Sequence, residues 1–149
     1  MADEIAVNGS GRCAVALACA LLPAVAWVAA PGASRDSAPA VDDLLRRVLA
    51  NDPEREALML TVEYQPRGSS LPHRHDAQVF VYVLEGAMTM QLDGKPPVTL
   101  RRGQTFYEGP NDIHRVSANA SKTEPAKILV FMIKDKTQPG SRAVDRGAM

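Results

Sequence analysis

Pro72-His73-Arg74-His75-Asp76-Ala77-Gln78-Val79-Phe80-Val81-Tyr82-Val83-Leu84-Glu85-Gly86 is the stretch that decides how this chain is read. Its second half is a run of β-branched and aromatic residues closed by a glycine, the composition of a strand entering a turn. Its first half holds a His-x-His pair. On an extended strand, residues two apart point to one face, so both imidazoles project into the same space. The chain has only three histidines, and the third, His114, follows the turn-rich stretch Glu108-Gly109-Pro110-Asn111-Asp112-Ile113. It opens another strand-like run. If that run folds back beside the first, three neutral imidazoles converge, and a metal site becomes the leading functional expectation.

Working outward, the chain from Leu58 reads as short strands broken by turn signals. The spacing predicts strands over 58–64, 78–84, 87–92, 97–100, 104–107, 114–117 and 126–133. Between them lie Pro66-Arg67-Gly68, Glu85-Gly86, Asp93-Gly94, Arg102-Gly103 and Gly109-Pro110-Asn111. Asp-Gly between two apolar runs is a strong hairpin signal. Many short strands at this spacing imply an all-β antiparallel sandwich or barrel. Before them, Val41-Asp42-Asp43-Leu44-Leu45-Arg46-Arg47-Val48-Leu49-Ala50 predicts one short amphipathic helix, acids first and arginines later as the helix dipole favours. The expected division is a leader over 1–40, helix and lead-in over 41–57, barrel over 58–133, and a polar, frayed tail over 134–149.

Lys and Arg total 17, balanced by 17 Asp and Glu, with no basic block. That charge pattern argues against nucleic acid and against an anionic membrane surface as partners. The first segment is of another kind: from Cys13 to Ala30 there is no charged residue. Arg12 precedes the run and Pro31-Gly32-Ala33-Ser34 follows it, which suits a secretory signal peptide and a periplasmic or secreted protein. Asp3 and Glu4 dilute the basic start, and cleavage sites fit at both Ala24-Val25-Ala26 and Ala38-Pro39-Ala40. An uncleaved anchor is the alternative, weakened by the alanines and Pro23. Lipidation at Cys19 is disfavoured because the apolar run continues past it. Both cysteines of the chain lie in this segment, so a mature domain has neither a disulfide nor a thiol nucleophile.

From Leu58 to Ile133 the sequence resembles the cupin family. The family's first motif runs Gly-x5-His-x-His-x3–4-Glu-x6-Gly; Gly68, His73, His75 and Gly86 hold those places, with one residue fewer after Gly68. In its second motif, Gly-x5-Pro-x-Gly-x2-His-x3-Asn, Gly103 and His114 match the spacing. The resemblance implies an antiparallel jelly-roll β-barrel with His73, His75 and His114 on a divalent metal inside it. It also implies Fe(II) as the favoured ion, with Mn, Ni or Zn as alternatives. The family's Glu ligand falls on Val79, which cannot coordinate. Gln78 is adjacent and serves as a fourth ligand only if a bulge turns it inward. In the second motif the Pro, Gly and Asn places hold Gly109, Asn111 and Ala118, changes that affect the turn rather than the ligands.

Tyr107 and Glu108, just before the turn into His114, are expected near the barrel mouth, with Tyr107 a candidate proton donor or substrate hydrogen bond. Phe80, Tyr82 and Leu84 share the parity opposite the histidines, an apolar outer face that suggests a covering element or, as is common in single-barrel cupins, a homodimer interface. Without a carboxylate ligand, three imidazoles leave the ion's full charge for an anionic substrate to neutralise. The expectation is a metal-dependent dioxygenase-type enzyme acting on a small anionic or enolisable molecule. The alternatives are a cupin isomerase, decarboxylase or lyase, and a non-catalytic metal-dependent ligand-binding or sensor module.

Overall fold

Alternation of buried with more exposed residues builds the strands that carry the core. The computed structural model describes residues 38–144, and the expected signal segment, both cysteines and residues 145–149 lie outside the described residues. Eleven strands follow in order: β1 Ala40–Leu49, β2 Asp52–Tyr64, β3 Ser69–Ser70, β4 His73–Arg74, β5 Ala77–Glu85, β6 Ala87–Leu92, β7 Val98–Arg101, β8 Thr105–Glu108, β9 Ile113–Asn119, β10 Ala126–Asp135 and β11 Arg142–Ala143. Among the described residues no helix is long and apolar enough to cross a membrane.

The strands form two antiparallel sheets, β1-β2-β10-β5-β8 and β11-β4-β9-β6-β7, with β3 joined to β9. Non-consecutive neighbours in both sheets give the jelly-roll connectivity, and residues on alternate positions fill the space between them. Leu58, Leu60, Val62 and Tyr64 of β2 meet Val79, Val81 and Val83 of β5, Met88 and Met90 of β6, and Ile128, Val130 and Met132 of β10. Met88, Met90 and Met132 are all part of this core. Gly86 makes the β5–β6 turn at φ 69°, and a Cβ there would lie 2.6 Å from the Pro125 carbonyl oxygen. Only glycine fits that crossing.

The segment expected as a helix is strand β1. It pairs with β2 from Ala40↔Glu63 to Leu49↔Asp52, with register shifts at Asp43/Leu45 and Val48/Leu49. Without β1, one edge of β2 would expose its unpaired backbone groups along the strand, and satisfying them outweighs local helical preference. The shift at Leu44 takes one residue of the Leu44-Leu45 step out of the pairing. The tail departs from expectation too. Lys134 is buried at the end of β10, and β11 pairs with β4 through Ala143↔His73 and Arg142↔Arg74.

Candidate functional site

β4 with the residue after it, the end of β8 and the start of β9 bring four titratable side chains together inside the barrel. His73 on β4 stands directly across from His114 on β9. The ring of His73 lies 5.2 Å from that of His114 and 4.9 Å from that of His75, centroid to centroid. The three histidines singled out in the sequence are thus brought to one place. His75 and His114 are buried. Phe106 stacks on the outer side of His114 at 5.9 Å.

The fourth member is Glu108, 2% exposed. Its Oε2 lies 3.1 Å from His114 Nδ1 and 3.7 Å from His75 Nε2. Glu108 is the last residue of β8, and the register sets it opposite Val79 on β5. Paired residues on adjacent strands share a face, so the carboxylate enters at the level where the first motif lacks one, from the neighbouring strand. Ending the strand at Tyr107 hid this. The signal was its parity: Phe106 and Glu108 point in, Thr105 and Tyr107 out.

That parity removes two sequence candidates from the site. Gln78 and Tyr107 both face the outer surface, where the Tyr107 hydroxyl donates to Gln78 Oε1 and its ring packs 5.4 Å from Phe80. No bulge turns Gln78 inward, since β5 is in regular register with β10 from Ala77 to Val83. The phenol that does line the cavity is Tyr64. Its hydroxyl lies 2.9 Å from the hydroxyls of both Ser70 and Ser117. Nothing in the sequence gave Tyr64 a role at the site.

Two backbone carbonyls fix the orientation of the His-x-His pair. A carbonyl only accepts, so His73 donates Nδ1–H to Leu71 O at 2.8 Å and His75 donates Nδ1–H to Gly140 O at 2.5 Å. In both neutral rings the lone pair is then on Nε2. Burial is the main cause that holds the His73 imidazole below its ordinary 6.5, helped by the other two histidines and opposed by the Leu71 carbonyl and Glu108. Burial pushes the Glu108 carboxyl up. The contact with His114 and the three imidazoles outweigh it and hold the group below the ordinary carboxylate value.

Oε2 of Glu108 and both ring nitrogens of His114 are buried without a hydrogen-bond partner. The 3.1 Å approach of Glu108 to His114 is close but not aligned as a hydrogen bond. Leaving such atoms unpaired costs about 1–3 kcal/mol each, and a cation among them relieves that cost. The donor set of imidazole and carboxylate fits a first-row divalent ion. Among the described residues no three or more His, Cys, Asp or Glu side chains, these four included, are drawn close enough to hold a metal ion as they stand. The four groups form one wall of a cavity of about 700 Å³, whose other walls are largely aliphatic, including Leu60, Val62, Val81 and Val130.

Comparison with known proteins agrees with this architecture. The Cupin domain family matches residues 60–132. No curated protein matches the chain. Among solved structures, an uncharacterized double-stranded β-helix protein from Klebsiella pneumoniae superposes with TM-score 0.57 at 16% identity, over 72% of this chain and 85% of that one. The DMSP lyase DddQ from Ruegeria pomeroyi gives TM-score 0.56 at 16% identity, over 71% of this chain and 51% of that one. Oxalate oxidase with its substrate analogue glycolate gives TM-score 0.55 at 24% identity, over 71% and 55%. This chain therefore spans about half the length of the latter two, and at these identities the likeness concerns the fold. Motif spacing, antiparallel barrel and family match converge, and the chain belongs to the cupin superfamily.

Proposed function

We propose that His73, His75, His114 and Glu108 hold a divalent metal ion, Fe(II) favoured, and that the protein is a metal-dependent cupin enzyme for a small organic anion or enolisable molecule. The observation that carries this is the set of buried, partnerless polar atoms on Glu108 and His114, facing two imidazoles whose Nε2 lone pairs are free. A bound ion supplies Lewis-acid polarisation and, if it is iron, access to O₂ chemistry. The chain's own residues do the rest. The backbone carbonyls hold the imidazoles, the aliphatic walls keep water scarce, and Tyr64 with Ser70 and Ser117 offers a hydroxyl cluster to an oxygen of the ligand.

Glu108 changes the charge expected of the site. With one carboxylate among the ligands a divalent centre keeps a single net positive charge, which suits a monoanion better than a dianion. Oxygenation remains the favoured reaction, with isomerase, decarboxylase or lyase chemistry next. A binding or sensor module is the second reading, favoured by the predominance of aliphatic side chains in the cavity.

Metal analysis of the purified protein, followed by O₂ uptake with enols, diketones and hydroxy acids, tests the proposal. Replacement of all three histidines is expected to abolish metal binding. Retention of metal by that variant refutes the site. Absence of O₂ uptake with iron fully loaded refutes the oxygenase and leaves the other two readings.

A further inference from the structure

The segment after β10 makes more contacts with the His-x-His stretch than a frayed tail would. Gln138 N donates to Asp135 O at 3.2 Å, and the buried Lys134 ammonium donates to Gln138 O, so the chain turns back at the barrel end. β11 then runs along β4, a strand of only 2 residues whose other neighbour is β9. Arg142 reaches Asp76 at 3.0 Å, just beyond His75, and Val144 N donates to Pro72 O at 3.3 Å, just before His73. The two histidines are thus bracketed on both sides by one stretch of chain. Between these anchors the Gly140 carbonyl accepts from His75 Nδ1. A Cβ at Gly140 would lie 3.8 Å from Leu58 Cδ2 and 3.9 Å from Met132 Sδ, so the strap presses its bare backbone onto the core there. Pro139, Gly140, Ser141 and Ala143 line the cavity.

We propose that residues 138–143 are a positioning strap for His75, holding its Nε2 toward Glu108 and His114 and closing one wall of the cavity. This deepens the metal reading above and rests on it for its effect on affinity. The physical basis is general: a ligating imidazole keeps its tautomer and its aim through the partner of its other nitrogen, and loss of such a partner typically lowers metal affinity about 10–100-fold. The strap supplies that partner from a segment remote in sequence. His73, by contrast, uses the carbonyl of Leu71, two residues away. His75 is therefore the imidazole whose aim depends on tertiary structure.

The test uses the full chain. Arg142→Asp sets a carboxylate against Asp76 and Gln138, Arg142→Lys restores the ion pair, and Gly140→Phe wedges a ring between strap and core. In the metal-free protein, long-range ¹H–¹⁵N spectra of the imidazoles are expected to show His75 protonated on Nδ1 in the parent and in Arg142→Lys. In Arg142→Asp and Gly140→Phe the two tautomers should mix while His73 is unchanged. Zn(II) affinity, measured by chelator competition, is expected to fall about 10–100-fold in the same two variants. Parent-like tautomers and affinity in both would overturn the proposal. If the parent binds no Zn(II), the metal reading fails, and the tautomer spectra still decide whether the strap holds His75. Should Gly140→Phe not fold, Arg142→Asp, a change at an exposed side chain, decides alone.

Discussion

A carboxyl group buried among imidazoles faces two opposed forces, and at Glu108 the imidazoles prevail over burial. The site therefore holds a carboxylate ready to bind a cation rather than a neutral acid. Glu108→Gln keeps the shape and removes the charge, and we expect it to cost at least the tenfold in metal affinity typical of lost supporting contacts. Isothermal titration with Zn(II) checks this. The pH behaviour follows from the same cluster. His73 is held below its ordinary 6.5, so as pH falls the unfolded chain takes up that proton before the folded one does. The stability contributed by His73 is whole above about pH 6.5 and is lost as pH falls from there through its lower folded value. Glu108, also depressed, loses its contribution only further down, below the ordinary carboxylate value of 4.5. The melting temperature of the metal-free protein is thus expected to decline in two steps on acidification, and His73→Gln should remove the first. Scanning calorimetry across that range decides it.

At the scale of elements, the β1–β2–β10 edge is held by a chain of charges. Lys134 Nζ lies 2.8 Å from Glu56 Oε1, both side chains being almost wholly buried, and Arg46 joins Glu56 to Asp43. The hydrogen bond from Lys134 is the leading cause that holds Glu56 below its ordinary value, with Arg46 adding to it against burial. Removing one partner strands the other charge. Lys134→Ala is expected to destabilise the fold by about 3–5 kcal/mol, whereas the double change Lys134→Met with Glu56→Leu should be far milder. Urea unfolding of the three proteins measures the difference. The β5–β6 turn offers a second element-level check. Gly86→Ala places a methyl against Pro125 O and forces φ 69° on a residue with a Cβ. A loss of about 1–3 kcal/mol is expected by the same measurement.

At the scale of the whole molecule, the exposed aromatic side chains among the described residues gather on one face. Phe80, Tyr82 and Tyr107 are each 43–49% exposed and adjoin Phe131 on the outer face of the five-stranded sheet. Exposed aromatic area of this kind favours association, and we propose a second copy of this chain as the occupant, as the outward parity of β5 led us to expect. Phe80→Glu with Tyr82→Glu places charges in the middle of that face. If the proposal is right, sedimentation equilibrium gives a dimer for the parent and a monomer for the variant; a monomeric parent refutes it.

Alternation and turn residues made most of the barrel legible, because a period of two and a positive-φ glycine are local properties. Residues 87–92 were read to the residue, 78–84 to within one residue at each end of β5, and 58–64 as the second half of β2. The three histidines could be grouped for the same reason: motif spacing and strand parity are written in the chain. What escaped depends on neighbours distant in sequence. β1 is a strand only because β2 has an edge to fill, and β11 is ordered only because β4 needs a partner. Glu108 belongs to the site only because β8 lies beside β5 with Glu108 opposite Val79. By itself, then, the sequence determined the barrel, its turns and the convergence of His73, His75 and His114. Only the tertiary structure decided which carboxylate completes the cluster and which carbonyl aims His75, because both come from cross-strand register, and register is a property of pairs of strands that neither strand encodes alone.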